Sequence, residues 1–358
     1  MKNMKEIEIK SKILGNGNPT FIVAEMAWSH DGLVENAKKI IEAASDAKAD
    51  AIKFHITSLE DYMVLHYGSG KGRVSAGKEK RRVYDYLNSI NLGKEAWREL
   101  FAYTKEHGLL IIAMCNDLPS LRVASKLNPD AYDIHSSCLS DEDFVKEVAK
   151  DMKPVLLGIG ASTLGEIERA ISWIKETGNS DIALIYGFQS YPTKLEDMHL
   201  RYIQSLKQMF LLPVGFADHT DGGSEFALVT PLVASALGAN IIEKHLTYDR
   251  SARGEDFESA LNPSDLKRFV QLLREVEKAF GSSEVRHFSE AELKYRQVSK
   301  KRAVAKMDIK KNEKMTKDKI AFKRSDEGVY PEESKFLIGR HARHDIAKEE
   351  SLTWEKML

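Results

Sequence analysis

Eight short runs rich in Val, Ile and Ala recur along the chain, separated by longer stretches in which apolar residues fall at helical spacing. The runs are Phe21–Met26, Ala51–Ile56, Leu109–Met114, Ala131–Ser136, Pro154–Gly160, Ile182–Phe188, Pro213–His219 and Ile241–Leu246. Between them, Leu33, Ala37, Ile40, Ile41 and Ala44, or Leu164, Ile167, Ala170, Ile171 and Ile174, repeat at the three- and four-residue steps of one helix face. Parallel neighbours need a crossover between them, and eight strands close into a cylinder that side chains can fill. The alternation therefore predicts an α/β fold built as a closed (β/α)8 TIM barrel. An open doubly wound sheet is the competing topology, but no Gly-rich dinucleotide turn follows the first run, which leads instead into Ser29-His30-Asp31-Gly32.

A barrel of this type takes about 250 residues, so the 358-residue chain has room for one further small module. Asn262-Pro263-Ser264-Asp265 starts a last barrel helix, with a capping residue ahead of a proline suited to the first turn, and Gly281-Ser282-Ser283 ends it. The expected boundaries are a barrel at 1–283, a charged linker at 284–297 and a β-rich module at 298–358. Inside that module, Asp308-Ile309 leading to Met315-Thr316 is echoed by Asp345-Ile346 leading to Leu352-Thr353, which predicts a pseudo-symmetric small fold. A module of roughly 60 residues is marginal alone, so packing against the barrel or a partner subunit is expected.

Charge and cysteine usage exclude several function classes. The 53 basic and 54 acidic residues nearly cancel, which leaves no field built to attract nucleic acid or an anionic membrane. Met1 to Lys10 alternates charge without the apolar core of a signal peptide, and the most apolar stretch, Phe226 to Ile242, is interrupted by Pro231 and small residues. A cytoplasmic enzyme without a membrane span is expected. Cys115 and Cys138 are the only cysteines and lack zinc-like spacing, so neither a zinc knuckle nor a disulfide framework is expected.

In this barrel class the chemistry sits at the C-terminal ends of the strands, and the polar residues gather there. Glu25 ends the first run, Lys53 and His55 the second, Asp133 and His135 the fourth, Asp218 and His219 the seventh, and Glu243 and His245 the eighth. Strand side chains alternate in direction, so Lys53 with His55, Asp133 with His135, and Glu243 with His245 each share a face. His219 and His245, on adjacent strands, form a ligand pair of neutral imidazoles suited to Mn, Fe or Zn; the bland alternative is two histidines satisfied by hydrogen bonds below the mouth. Glu25 can orient or deprotonate water and Lys53 can hold a carboxylate or phosphate, against the alternative of a buried Lys–Glu pair that only supports the barrel. After the second run, Lys71, Arg73, Lys78, Lys80, Arg81 and Arg82, interspersed with Gly68, Gly70, Gly72 and Gly77, read either as an anion-gathering lid or as a solvated charged face.

Several motifs together carry a family likeness: Phe21-Ile22-Val23-Ala24-Glu25 with His30-Asp31-Gly32, Ile52-Lys53-Phe54, Tyr191-Pro192-Thr193, Asp218-His219-Thr220, Glu243-Lys244-His245 and Leu261-Asn262-Pro263. In order and spacing they resemble the sialic acid synthases, which include the N-acetylneuraminate and related nonulosonate synthases, and the likeness covers nearly the whole chain. It implies a barrel followed by an antifreeze-protein-like (SAF-type) domain, and a homodimer in which that domain covers the partner's barrel mouth. Arg324, next to Lys323, takes the place of the substrate-contacting arginine. The implied reaction condenses phosphoenolpyruvate with an N-acylated hexosamine such as N-acetylmannosamine, giving a nine-carbon α-keto acid and phosphate for surface-polysaccharide or glycan biosynthesis. The resemblance puts a divalent metal, Mn2+ first with Mg2+ or Co2+ as alternatives, on His219 and His245. It also gives Glu25 the sugar and water steps and Lys53 the donor. His55, Asn116, Asp133, Ser136, Gln189, Tyr191, Asp218 and Glu243 complete the substrate-binding candidates.

The donor side departs from the family pattern. Asp133 stands in place of a lysine, Met114-Cys115-Asn116 in place of Thr-Pro-Phe, Gly158-Ile159-Gly160 in place of Ser-Thr-Gly, Ala217 in place of serine and Gln189 in place of asparagine. Two alternatives therefore stand beside a synthase: a metal-dependent aldolase or lyase using another keto-acid donor, and a sugar-binding relative without turnover.

Overall fold

The computed structural model describes residues 5–15, 17–66, 82–281 and 285–358. By its internal contacts the chain divides into two units, Met1–Gly281 and Ser282–Leu358.

The first unit opens with a hairpin of β1 (Ile7–Ile9) and β2 (Lys12–Leu14). Eight parallel strands follow: β3 (Phe21–Ala27), β4 (Ala51–Ile56), β5 (Leu110–Cys115), β6 (Ala131–Ile134), β7 (Val155–Gly158), β8 (Ile182–Tyr186), β9 (Val214–Asp218) and β10 (Ile241–His245). β10 pairs with both β9 and β3, so the sheet closes into a barrel. The eight expected strands are all present. Five are trimmed at the mouth end, three of them by two residues, where the backbone leaves the ladder to form turns; after Ile134, for instance, it enters a 3-10 turn at Ser136–Cys138.

The helices form where the apolar steps require them. Thr163 caps the helix Leu164–Glu176 through a reciprocal box with Glu166, and Ile167, Ala170, Ile171 and Ile174 are its buried face. Outward-facing strand residues meet such faces; Phe54, for example, lies between the rings of Trp97 and Phe101 at 5.5 and 5.6 Å. Each apolar side chain buried in this way contributes about 1.5–3 kcal/mol. Among the described residues, no helix is long and apolar enough to cross a membrane.

The hairpin is the element that the count of apolar runs leaves out. Its Ile7, Ile9 and Leu14 join Phe21, Val23, Ile112, Leu156 and Ile241 in the barrel's interior core. Since these are residues at the N-terminal ends of the strands, the hairpin plugs the floor. Lys12 Nζ pairs with Asp50 at 2.7 Å, Lys10 with Asp130 at 3.3 Å and Lys5 with Asp181 at 2.9 Å, and each aspartate immediately precedes β4, β6 or β8. Asp50 and Asp130 also accept the amides of Ile22 and Ile111.

The second unit contains the antiparallel pair β11 (Lys301–Ala305) and β12 (Ile320–Arg324). Its sequence echo is a structural one. Ile309 and Ile346 exchange backbone hydrogen bonds at 2.9 and 2.8 Å. Asp308 accepts the amide of Lys348 while Asp345 accepts that of Lys311, both at 2.8 Å. Glu313 and Glu350 close equivalent turns onto Lys310 and Ala347. Two copies of one short motif thus clasp each other around the small core of Ile309, Met315, Ile346 and Leu352.

Candidate functional site

Period-two alternation on a closed barrel sends every second residue to the axis. Near the floor these inward residues are apolar, and toward the C-terminal ends they become polar. The register sets Glu25 beside both Lys53 and His245, and Asp133 beside Met114. A cavity of about 480 Å³ opens at this mouth, and Glu25, Lys53, His55, Asp133, Glu243 and His245 are part of its wall.

Lys53 is the hub. Its ammonium lies 2.5 Å from Glu25 Oε2, 2.7 Å from Glu243 Oε2 and 3.3 Å from Asp133 Oδ2, and all four side chains are at most 5% exposed. Burial alone would lower the lysine's pKa, but the charges of Asp133 and Glu243 outweigh it and hold the ammonium above its ordinary value. Glu25 Oε1 accepts the Ala27 amide at 2.9 Å, and His55 Nε2 lies 3.0 Å from the same oxygen. Burial, then the nearby Lys53, keeps His55 well below the usual imidazole value, so the ring is neutral, and its buried Nε2 makes no hydrogen bond. Burial pushes the Asp133 carboxyl up to about 6, opposed by Lys53 and reinforced by Glu243. Asp133 therefore both faces the cavity and pairs with Lys53.

Across the mouth, the rings of His219 and His245 lie 5.3 Å apart. His219 Nδ1 is 2.9 Å from the Phe188 carbonyl; that nitrogen must carry the proton, which leaves the Nε2 lone pair free. Burial lowers both pKa values, that of His245 strongly. His245 Nδ1 is buried without a hydrogen-bond partner. Two neutral imidazoles, one with an orphaned ring nitrogen, fit a divalent ion whose other positions are left to water and substrate. Among the described residues, no group of three or more His, Cys, Asp or Glu side chains is placed to hold a metal. The Tyr191 ring packs on His219 at 4.3 Å, and its hydroxyl donates to Gln189 Oε1 at 3.0 Å. Asn116 donates to Thr57 Oγ1 and keeps a buried Oδ1 without a partner. Asn116, Ser136, Gln189, Tyr191 and His219 all line the same cavity, as do the departing positions Met114, Gly158 and Ala217. At Gly158 a Cβ would come within 3.0 Å of the Ile134 carbonyl and 3.1 Å of the Ser136 amide, so a side chain there requires the backbone to move.

One expected site residue, Asp218, is not part of this cavity wall. Asp218 follows inward-facing Ala217 by one position and therefore points outward. It is fully buried against Lys244 Nζ at 2.9 Å and bonded to Thr220 and Thr230, a structural pair rather than a mouth residue. Arg324 belongs to the second unit, where its Nη2 donates to Ser299 Oγ at 2.9 Å. In the glycine-rich basic stretch, Gly68, Gly70, Lys71, Gly72, Arg73, Gly77, Lys78, Lys80 and Arg81 lie outside the described residues; Arg82 pairs with Asp85 at 2.7 Å. Residues that strand-end reading misses also line the mouth: Trp28, Met63, Val83 and Leu87 form an apolar wall, and Glu255, Asp256 and Glu258 an acidic one. The three acids follow β10 in the loop Gly254-Glu255-Asp256-Phe257-Glu258, a position that alone marks a mouth loop.

The model of the NeuB family matches residues 40–285, and that of the SAF domain matches residues 302–357. A pseudaminic acid synthase of Campylobacter jejuni is 33% identical over 337 residues, 93% of this chain and 96% of its own. An N,N'-diacetyllegionaminic acid synthase of the same species is 29% identical over 333 residues, 92% of this chain and 98% of its own. Among solved structures, the N-acetylneuraminic acid synthetase of Leptospira borgpetersenii in complex with citrate shares the fold with a TM-score of 0.72 at 29% identity, over 83% of this chain and 98% of that one.

Proposed function

The chain belongs to the NeuB family of sialic acid synthases, with a C-terminal SAF domain, and from that premise we propose that it condenses phosphoenolpyruvate with an N-acylated hexosamine. In this reaction the donor's methylene carbon bonds to the sugar's aldehyde carbon, water is consumed, and a nine-carbon α-keto acid and phosphate leave. The observation that supports it is the meeting, in one cavity, of a charged Lys53, the carboxylates of Glu25 and Glu243, and two neutral histidines.

Lys53 faces the anionic donor, since it is the cation that the barrel strands present at the mouth. Glu25, held by the Ala27 amide, positions the water or sugar hydroxyl and accepts its proton. Tyr191 and Gln189 orient the sugar beside the histidines. His219 and His245 would hold a divalent ion, Mn2+ first, which when bound supplies Lewis acidity toward the aldehyde oxygen. A cytoplasmic homodimer, with the SAF domain and its Arg324 serving the mouth of a second copy, belongs to the same proposal; sedimentation of the intact chain tests the oligomer.

The central test is incubation of manganese-loaded protein with phosphoenolpyruvate and a panel of N-acylhexosamines, including diacetamido sugars. Equimolar phosphate and α-keto acid are expected. Folded, metal-loaded protein that stays silent across the panel would count decisively against the proposal. The crowd of carboxylates around Lys53 favours one second reading, an aldolase or lyase that uses a less charged donor; turnover of pyruvate without phosphate release would select it.

A further inference from the structure

The barrel presents one ammonium, Lys53, to three buried carboxylates, Glu25, Glu243 and Asp133. With every group ionised the cluster carries an excess of two negative charges before any ligand arrives, and a phosphate- or carboxylate-bearing donor adds more. Burial strips water from these charges and strengthens their repulsion, so the excess must be relieved by a counter-charge. Asp133 is the member least able to stay ionised. Glu25 has the Ala27 amide in addition to the lysine, and Glu243 lies within 2.7 Å of the ammonium, whereas Asp133 reaches it only at 3.3 Å. The adjacent strands add no charge next to it, with Met114 and Leu156 as its register partners on β5 and β7. The other titratable groups around it are Lys53 and His55 from β4, Glu25 from β3, Glu243 and His245 from β10, and His135 and Cys138 just after β6.

We propose that Asp133 is a specificity-determining residue that couples donor capture to a proton: the anion binds beside Lys53 together with one proton from solvent, taken up by the Asp133 carboxylate. This rests on the reading of the mouth as a site for an anionic three-carbon donor. The Asp133 carboxyl, already held near 6 in the free protein by burial, is driven higher by the incoming anion. The bound proton removes one negative charge and turns the carboxylate into a hydrogen-bond donor toward the ligand. Above pH 6 each further unit then costs the wild type up to about tenfold in donor affinity.

Calorimetric titration of the manganese-loaded protein with phosphoenolpyruvate, in two buffers of different ionisation enthalpy at pH 7.5, reads the proton directly. The wild type is expected to take up about one proton more per donor than Asp133→Asn, the ionisation of the ligand's own phosphate being common to both. Asp133→Asn is expected to bind the donor about tenfold tighter or better at pH 8. Equal proton uptake in the two proteins, or weaker donor binding by Asp133→Asn at every pH, overturns the proposal. Pyruvate, which does not titrate in this range, provides the same measurement on the wild type alone should the variant not fold; about one proton per pyruvate is expected, and none overturns the proposal. If phosphoenolpyruvate neither binds nor turns over while pyruvate binds with its proton, the donor assignment fails and the role of Asp133 stands. Binding of neither anion sinks both.

Discussion

The two ends of the barrel handle charge in opposite ways. At the floor, Lys5 and two lysines of the hairpin, Lys10 and Lys12, each meet an aspartate, Asp50 being shared with Arg274, at the wet edge of an apolar plug. At the mouth, one buried lysine is shared by three carboxylates, and a pair of neutral histidines stands beside them. Matched, half-exposed pairs add little and harm little. An unmatched buried cluster is costly to maintain, and such costs concentrate where a ligand or metal supplies the missing counter-charge. The floor therefore reads as stability and the mouth as chemistry.

The sharpest way to break this contrast is Lys53→Met. Removing the shared ammonium should lower turnover about 10³-fold and cost about 3–5 kcal/mol in urea denaturation, because three carboxylates lose their partner; unchanged turnover would return Lys53 to a purely supporting role. Next in size is His245→Ala, expected to abolish manganese binding by elemental analysis and to reduce turnover about 10²-fold or more while the fold persists. At the floor, Ile9→Ala should cost about 2–5 kcal/mol with kcat unchanged, since Ile9 is fully buried in the plug. A comparable loss of kcat would show that the two ends are not independent.

The pH dependence of stability sharpens the mouth alone. The folded-state pKa of Asp133 lies above the ordinary carboxylate value, at about 6, so its contribution to stability is fully present below about pH 4 and is lost as pH rises through 6. The stability of Asp133→Asn relative to wild type should accordingly rise between pH 4 and 6.5, as denaturation midpoints across that range would reveal; a flat difference contradicts the buried cluster. The smallest effect belongs to Lys12→Ala. It breaks a half-exposed pair with Asp50, which keeps Arg274 as a partner, and should cost under about 1 kcal/mol, less at high salt.

Much of this contrast is legible in the chain. The eight apolar runs, the helical steps between them, and the polar residues two apart at the ends of β4 and β10 follow from local periodicity, which any strand or helix imposes on its own side chains. Asp218 was legible too: one step from inward-facing Ala217, the same alternation that selects Lys53 and His55 sends it outward, toward Lys244. The hairpin is less visible, because three-residue strands give periodicity too little length to register.

By itself the sequence determined the barrel, the module that follows it, and which residues stand at the strand ends, all of which are properties of neighbouring residues along one strand or helix. Only the tertiary structure decided how many carboxylates share Lys53, that Asp133 is among them, and that the N-terminal hairpin closes the opposite end. Those facts depend on strands β3, β4, β6 and β10 meeting around one axis, and closure of a sheet brings together groups that lie up to more than 200 residues apart in the chain. Local pattern fixes the direction in which a side chain points; the closed barrel fixes what it meets there.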